Sequence, residues 1–488
     1  MGALLVGVLA LPLAAAALSL CRSTRLAEAA TLAAGIGAFA ETVTLAVSVR
    51  HGAAHSALGQ WLRVDSLGAI FLLATGFLYA TGTVFSIGYL RAGSQRSGFT
   101  GYARRYYSFL NLLGWTMFLV PLMNDFGTLW VALELTTIVS VLLVAVDRTD
   151  AALEAGWKYV LIASVGLGIG LLAVIILYAA GTATLGDTYI PRFSSYLGAA
   201  HQLPVVQVEF AFLLAVIGFG TKVGFVPLHT WLPDAHSEAP TPVSALLSGA
   251  LLANAFYAIL RFFEVTAPAA GDRFPRNVLL VFGTASLVLA ALFVLRQENY
   301  KRLLAYSTIE HMGVIAVGVG FGVRLAVAGA LFHVLNHAAA KGLAFFGSGA
   351  LLRRYDSKEI DDVRGAASVL PLSGPMFLAA ALALSGLPAA GIFRSEYQIV
   401  SAGFARPAYV SVALLLVFAN VAFLGVLWHA SRMVLTPAED DTPHGETSWW
   451  IVAAMAPCLV AVVGLGLHLP SGLSALLQHA AASLGAGG

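Results

Sequence analysis

Charge is what this chain is short of. Only 11% of its 488 residues are Asp, Glu, Lys or Arg, 59% are hydrophobic and the mean hydropathy is +0.84. A soluble domain carries about a quarter of its residues as charges, so a soluble globule is excluded. Cysteine is scarcer still. Cys21 and Cys458 stand far apart in apolar segments without a CxxC spacing. That excludes a disulfide framework and a thiolate-held zinc or iron–sulfur centre. There is also no phosphate-cradling glycine loop and no metal-ligand motif. Neither nucleotide, flavin nor metal is therefore expected as a cofactor, and any redox chemistry must lie in another chain. The net charge of +2 gives no reason to expect nucleic acid as a partner. In a membrane protein the position of charges matters more than their sum.

What is there is a succession of apolar runs, each long enough to cross the roughly 30 Å hydrocarbon core. They predict an all-α polytopic membrane protein forming one domain, 1–488, with about fourteen transmembrane helices near 2–20, 28–48, 66–90, 106–122, 126–146, 152–180, 210–230, 241–262, 277–295, 303–321, 325–352, 371–398, 408–431 and 449–469. The first run has no basic residue before it, and Leu20 precedes Cys21 where lipoprotein cleavage wants a small residue, so it is read as a helix and not as a signal peptide. Loops after odd-numbered spans hold fifteen Lys and Arg against seven in the others. By the positive-inside rule the first set faces the cytoplasm, and both termini lie on the outer side of the plasma membrane.

Five basic residues remain inside or at the rim of spans: Lys158, Lys222, Arg261, Lys341 and Arg394, joined by Glu134 and Glu396. Each buried charge costs a few kcal/mol on insertion scales, so a spanning helix keeps one only if it is paired, hydrated or useful. Arg261 and Arg394 read equally well as snorkelling interface residues, and Lys158 as a surface anchor. Glu134, Lys222 and Lys341 have long apolar flanks that leave less room for such readings. Two of the spans are also interrupted. Pro227 lies five residues after Lys222, which has a glycine on either side at positions 220 and 224. In Ser385-Gly-Leu-Pro388-Ala-Ala-Gly391-Ile-Phe-Arg394-Ser-Glu396, Pro388 precedes Glu396 by eight. Proline removes a backbone donor, and an interrupted helix is tolerated at membrane depth where it lines protein or water. Broken helices 7 and 12, five spans apart, are what a repeated five-helix unit would produce.

The run from Lys222 through Pro227, His229, Trp231, Asp234, His236, Glu238, Pro240 and Pro242 to Ser248 carries a resemblance. It is joined by Glu134 in Leu129-Trp-Val-Ala-Leu-Glu134-Leu, by Lys301-Arg-Leu-Leu-Ala-Tyr306-Ser307-Thr-Ile-Glu310-His311-Met-Gly313 and by the segment from Gly386 to Glu396. Together these resemble the antiporter-like subunits of complex I, of Mrp-type cation/proton antiporters and of membrane-bound nickel–iron hydrogenases, over almost the whole chain. Trp157-Lys-Tyr-Val and Ser307-Thr-Ile-Glu310-His311-Met-Gly look most similar to the large antiporter-like subunit of hydrogenase-4 and formate hydrogenlyase complexes.

The resemblance implies two inverted five-helix repeats, spans 4–8 (106–262) and 9–13 (277–431), after an N-terminal part (1–105) and before a last span (449–469). With the chain ending on that span, no long lateral helix is expected. It implies an ion path along a central polar axis, in which Glu134 modulates Lys222, Lys341 is the central store and Glu396 the exit group. His333, His337 and Lys341 recur every four residues on one helix face, and with His311 they are expected to bridge the path. Where relatives have a lysine on span 8 this chain reads Leu251-Leu-Ala253-Asn254, so water, Asn254 or Ser248 must cover the gap. His229, Asp234 and His236 read as a rigid Trp/Pro-rich mouth before they read as a metal site. The implied function is translocation of protons or another ion within a multi-subunit energy-converting complex. Its partners would be other membrane subunits, a peripheral redox module and the lipid bilayer. A subunit of an Mrp-type Na⁺/H⁺ antiporter and a stand-alone transporter of a small solute are the alternatives.

Overall fold

The computed structural model describes every residue except 22, 92–97, 406–407, 440 and 486–488, so the loop arginines Arg22, Arg96 and Arg406 lie outside the described residues. The chain runs through α1 (Gly2–Ser19), α2 (Thr24–Val49), a hairpin of β1 (His55–Ala57) and β2 (Leu62–Val64), α3 (Ser66–Arg91), α4 (Phe99–Leu122), α5 (Phe126–Val144), α6 (Asp150–Leu185), α7 (Phe193–Ala199), α8 (Val205–Val223), α9 (Trp231–Glu238), α10 (Thr241–Leu246) and α11 (Leu252–Ala270). The second half holds α12 (Arg273–Val294), α13 (Tyr300–Phe321), α14 (Arg324–Tyr355), α15 (Ala366–Val369), α16 (Ser373–Leu384), α17 (Gly391–Gly403), α18 (Tyr409–Leu435), α19 (Trp449–Leu467) and α20 (Ser471–Ser483). Helix starts carry side-chain caps of the expected chemistry: Ser23, Asp125, Thr149 and Asn299 each accept a backbone N–H of the first turn.

The molecule is a polytopic membrane protein built of helices. Among the described residues eleven helical segments, α10 and α11 counting as one, are long and apolar enough to cross a bilayer. Three further expected spans fall outside that measure for visible reasons. Helix α4 carries Arg104, Arg105 and Asn111, α14 carries His333, Asn336, His337 and Lys341, and the span near 371–398 is divided into α16 and α17. The core runs along α3, α10–α11, α13 and α14, where nearly every side chain is buried, whereas α6, α18 and α19 turn much of their surface outward. The chain does not end on α19. Helix α20 follows Pro470 and packs on α3 and α14. Its 13 residues mix Ser, Gln and His with apolar positions, a pattern too short and too polar for an apolar-window reading.

Both interruptions are built by backbone chemistry. Helix α8 ends on Gly224, whose φ of +86° suits a residue without Cβ, and the chain resumes as a helix only at Trp231. The backbone groups freed at the break find partners. The Trp231 indole N–H donates to the Thr221 carbonyl at 2.8 Å and the Val226 N–H donates to Ser286 Oγ at 3.0 Å. The second break runs from Ser385 to Ala390, with Gly386 at φ +70° and Asn336 Nδ2 donating to the Gly391 carbonyl at 2.8 Å. Between α10 and α11 the helix widens into a π turn, Leu247–Leu251, that contains Ser248.

Arg261, which the sequence left open as an interface residue, is buried, 4% exposed. It holds Asp65 at 2.7 and 2.8 Å, Glu264 at 2.7 Å and the Tyr257 hydroxyl at 2.9 Å. Ser483 of α20 donates to the other Glu264 oxygen at 2.8 Å, so the last helix is tied to α11 and, through Arg261, to the start of α3. Burial works against ionisation of Asp65, but the Arg261 guanidinium and its paired hydrogen bonds hold this carboxyl below the usual carboxylate range.

Candidate ion path

Lys222 sits on the last turn of α8, just before the break, and is fully buried. Its ammonium has three protons and meets three oxygens of α5: the Leu133 carbonyl at 2.8 Å, Thr136 Oγ1 at 2.6 Å and Thr137 Oγ1. Glu134 is on the same helix but, among the described residues, no carboxylate lies within 4 Å of Lys222. The Glu134 carboxylate is half-buried between α5 and α6, where Ser164 Oγ donates to its Oε1 at 3.4 Å and Oε2 has no hydrogen-bond partner among the described residues. Lysine and glutamate therefore interact through space and not as an ion pair.

Lys341, midway along α14, is also fully buried and donates to the Leu304 carbonyl at 2.9 Å. Thr308 Oγ1 donates to that same carbonyl at 2.9 Å and lies 2.7 Å from Ser248 Oγ of the π turn. Ser248 is thus linked to Lys341 through one hydroxyl and one carbonyl. Asn254 is not: its Nδ2 donates to the Met117 carbonyl at 3.0 Å and to Thr75 Oγ1 at 3.3 Å, away towards α4 and α3.

Three helices then bring a histidine cluster together. His311 Nδ1 of α13 is 3.1 Å from His333 Nε2 of α14, and His333 Nδ1 is 2.9 Å from Ser395 Oγ of α17. Ser395 Oγ is 2.8 Å from the Ile392 carbonyl, to which it can only donate. With its proton so committed it accepts from His333 Nδ1–H, which leaves His333 Nε2 to accept from His311 Nδ1–H. His337 stands one turn from His333, its ring centre 5.3 Å from that of His311, and neither of its nitrogens has a hydrogen-bond partner among the described residues. Two carboxyls close the cluster: Glu310 Oε2 lies 3.5 Å from His311 Nε2, and Glu396 Oε1 lies 4.0 Å from His311 Nδ1. Glu396 and Glu310 also line a cavity of about 360 Å³ among α13, α16, α17 and α18, whose remaining wall is mostly apolar.

Lys158 stands apart from these buried groups, in a surface cleft of about 260 Å³ with Glu154, Asp234, Glu238 and Arg302. Its Nζ pairs with Glu154 at 2.6 Å and reaches Asp234 at 3.5 Å. Two functional candidates escaped the sequence reading. Glu310 is a carboxyl in the middle of an apolar span, a signal of the same kind that singled out Glu134. Lys301 counts as a loop residue by its position, yet it is buried under the C-terminal end of α9 and donates to the Ser237 and Ala239 carbonyls at 3.0 and 2.6 Å. Only the packing of that helix end reveals it.

Known proteins resemble this chain in sequence and fold. The family described as NADH:quinone oxidoreductase/Mrp antiporter, TM matches residues 123–422. A "Hydrogenase-4 component F homolog" of Methylacidiphilum infernorum is 34% identical over 425 residues, 86% of this chain and 88% of the relative. "NADH-quinone oxidoreductase subunit N" of Desulforudis audaxviator is 30% identical over 471 residues, 93% of this chain and 91% of the relative. A chain of the membrane-bound sulfane sulfur reductase, an archaeal respiratory membrane complex, superposes with a TM-score of 0.87 over 98% of both chains at 22% identity, which speaks for the fold alone. The chain belongs to the NADH:quinone oxidoreductase/Mrp antiporter transmembrane family, as one of its antiporter-like membrane subunits.

Proposed function

We propose that this subunit conducts protons through the membrane along the order Glu134, Lys222, Ser248 with Thr308, Lys341, then His337, His311 and His333, to Glu310 and Glu396. The observation that carries the reading is the histidine relay. An unbroken hydrogen-bonded run from Ser395 through His333 to His311 is buried in the bundle and ends beside two carboxyls, Glu310 and Glu396, which both line a cavity of about 360 Å³. Each imidazole accepts a proton on one nitrogen while it gives one from the other, which suits proton hopping and offers little to a hydrated alkali cation. Burial disfavours the ammonium form of a lysine and a nearby carboxylate favours it, so a change in the Glu134–Lys222 separation would switch Lys222 between holding and releasing its proton. Asn254 plays no part in this order, because its hydrogen bonds point away from Lys341; Ser248 covers the position that Ala253 leaves without a titratable group.

In this reading the two interrupted helices belong to two inverted units, spans 4–8 and 9–13, and both termini lie on the outer side. The driving reaction belongs to a peripheral redox module reached through neighbouring membrane subunits, in an assembly of the hydrogenase type. Reconstituting the purified assembly in proteoliposomes tests the proposal. The wild type is expected to build a pH gradient when its partner reaction runs, in sodium-free as in sodium-containing buffer, whereas Lys222→Met leaves that reaction without a gradient. A gradient that needs sodium would favour the antiporter reading, and a normal gradient in the variant would refute the path.

A further inference from the structure

The histidine cluster has the composition and spacing of a metal shell, although its members come from three helices and no spacing in the sequence announces it. One donor atom from each of His311, His333 and Glu396 lies within 4.8 Å of the other two. Two of the separations are 3.1 Å, His311 Nδ1 to His333 Nε2, and 4.0 Å, His311 Nδ1 to Glu396 Oε1. A tetrahedral zinc shell with bonds of about 2.0 Å sets its donors about 3.3 Å apart, so the two histidines stand near that spacing and Glu396, at 4.0 Å from His311 Nδ1, would have to close in to complete it. We infer that His311, His333 and Glu396 form a binding site for a divalent transition-metal ion of the zinc class.

The outer shell supports the same reading. A ligating histidine nearly always gives its other N–H to an oxygen; the His333 ring is so provided, and Glu310 is the carboxyl nearest the free nitrogen of His311. Ser395 Oγ faces His333 Nδ1 at 2.9 Å, and Glu310 Oε2 faces His311 Nε2 at 3.5 Å. On binding, the His311 proton moves from Nδ1 to Nε2, towards Glu310, and frees the Nδ1 lone pair for the ion. Glu396 lines the 360 Å³ cavity, which gives the ion an entry and leaves room for a water as fourth donor. Two imidazoles with one carboxylate suit zinc, cobalt or nickel, and neither sodium, magnesium nor calcium, which prefer an all-oxygen shell. The buried His337, with both nitrogens free of hydrogen bonds among the described residues, adds a further lone pair beside His311.

The inference rests on this geometry and not on the proton path, and equilibrium binding tests it without any transport. Zn²⁺ is titrated into the full chain in detergent by calorimetry against a Mg²⁺ and Ca²⁺ background, with Co²⁺ as the spectroscopic probe. Saturable 1:1 uptake is expected, with the strong visible absorption of tetrahedral Co²⁺ and imidazole outer-shell scattering at the zinc edge. Glu396→Gln and His333→Gln should each weaken binding by about tenfold or more, while Glu396→Asp keeps most of it. Substituting the exposed His444 by Gln should change nothing. Size-exclusion profile and helical circular dichroism identify any variant that fails to fold, and Glu396→Asp against Glu396→Gln then carries the comparison. No saturable uptake, uptake undiminished in folded Glu396→Gln and His333→Gln, or a zinc edge without imidazole scattering would each overturn the site.

Discussion

Lys222 gives all three of its protons to oxygens of α5, two of them hydroxyls, so its ammonium is held without a contacting anion. Replacement by Met keeps the length and apolar bulk but removes the titrating group. Gradient formation in proteoliposomes should fall to about a hundredth or less, the scale on which removing a proton-transfer group acts, while the assembly still forms. Glu134 touches Lys222 only through space, and Glu134→Gln should act in the same direction with a smaller loss. About 1.4 kcal/mol of through-space stabilisation corresponds to about tenfold. Transport equal to wild type in Glu134→Gln would remove it from the path. At the other end, Glu310→Gln deprives His311 Nε2 of its nearest carboxylate oxygen, at 3.5 Å, and should slow transport as Glu396→Gln does. If the Glu310 variant transports normally, the relay runs to Glu396 alone.

Helices α3, α11 and α20 are joined by one buried ionic group, Asp65–Arg261–Glu264, capped by Ser483. Replacing Asp65 removes one of the two carboxylates of Arg261 and leaves it to Glu264 alone, a loss of about 1.5–3 kcal/mol for hydrogen bonds to a charged group. Asp65→Asn should therefore lower the melting temperature of the detergent-solubilised chain by several degrees. The pH dependence has a definite sign. Arg261 holds the Asp65 carboxyl below its usual range in the folded chain, so its contribution is fully present above the unfolded value of about 3.9 and fades as pH falls through the folded one. The difference between wild type and variant should stay constant from pH 7 to about pH 5 and narrow only below about pH 4. A difference that vanished already near neutrality would mean that the ion pair does not hold these helices.

Across the whole molecule, orientation follows from the placement of Lys and Arg in loops, and the chain carries its own probe of it. Cys21, between α1 and α2, is exposed, whereas Cys458 is buried in α19. In the proposed orientation, with the termini outside, the first loop would face the cytoplasm. A membrane-impermeant maleimide should then label Cys21 in inverted vesicles and leave it unlabelled in intact spheroplasts. Labelling in spheroplasts would reverse the topology.

Composition and apolar period alone determined that this is a helical membrane protein and located most of its spans, because insertion into hydrocarbon is decided locally, segment by segment. The breaks at Pro227 and Pro388 were legible for the same reason, since a missing backbone donor acts where it stands in the chain. The i, i+4 spacing put His333, His337 and Lys341 on one face of α14 before any packing was known. What that face meets was decided only by tertiary structure. The pairing of His311 with His333, the Ser395 hydroxyl that orients it, the burial of Lys301 under the end of α9 and the Arg261 network each join residues distant in the chain. So does the departure of Asn254 towards α3 and α4, and the docking of α20. Such contacts depend on which helices become neighbours, a global outcome of packing that no local window of sequence contains.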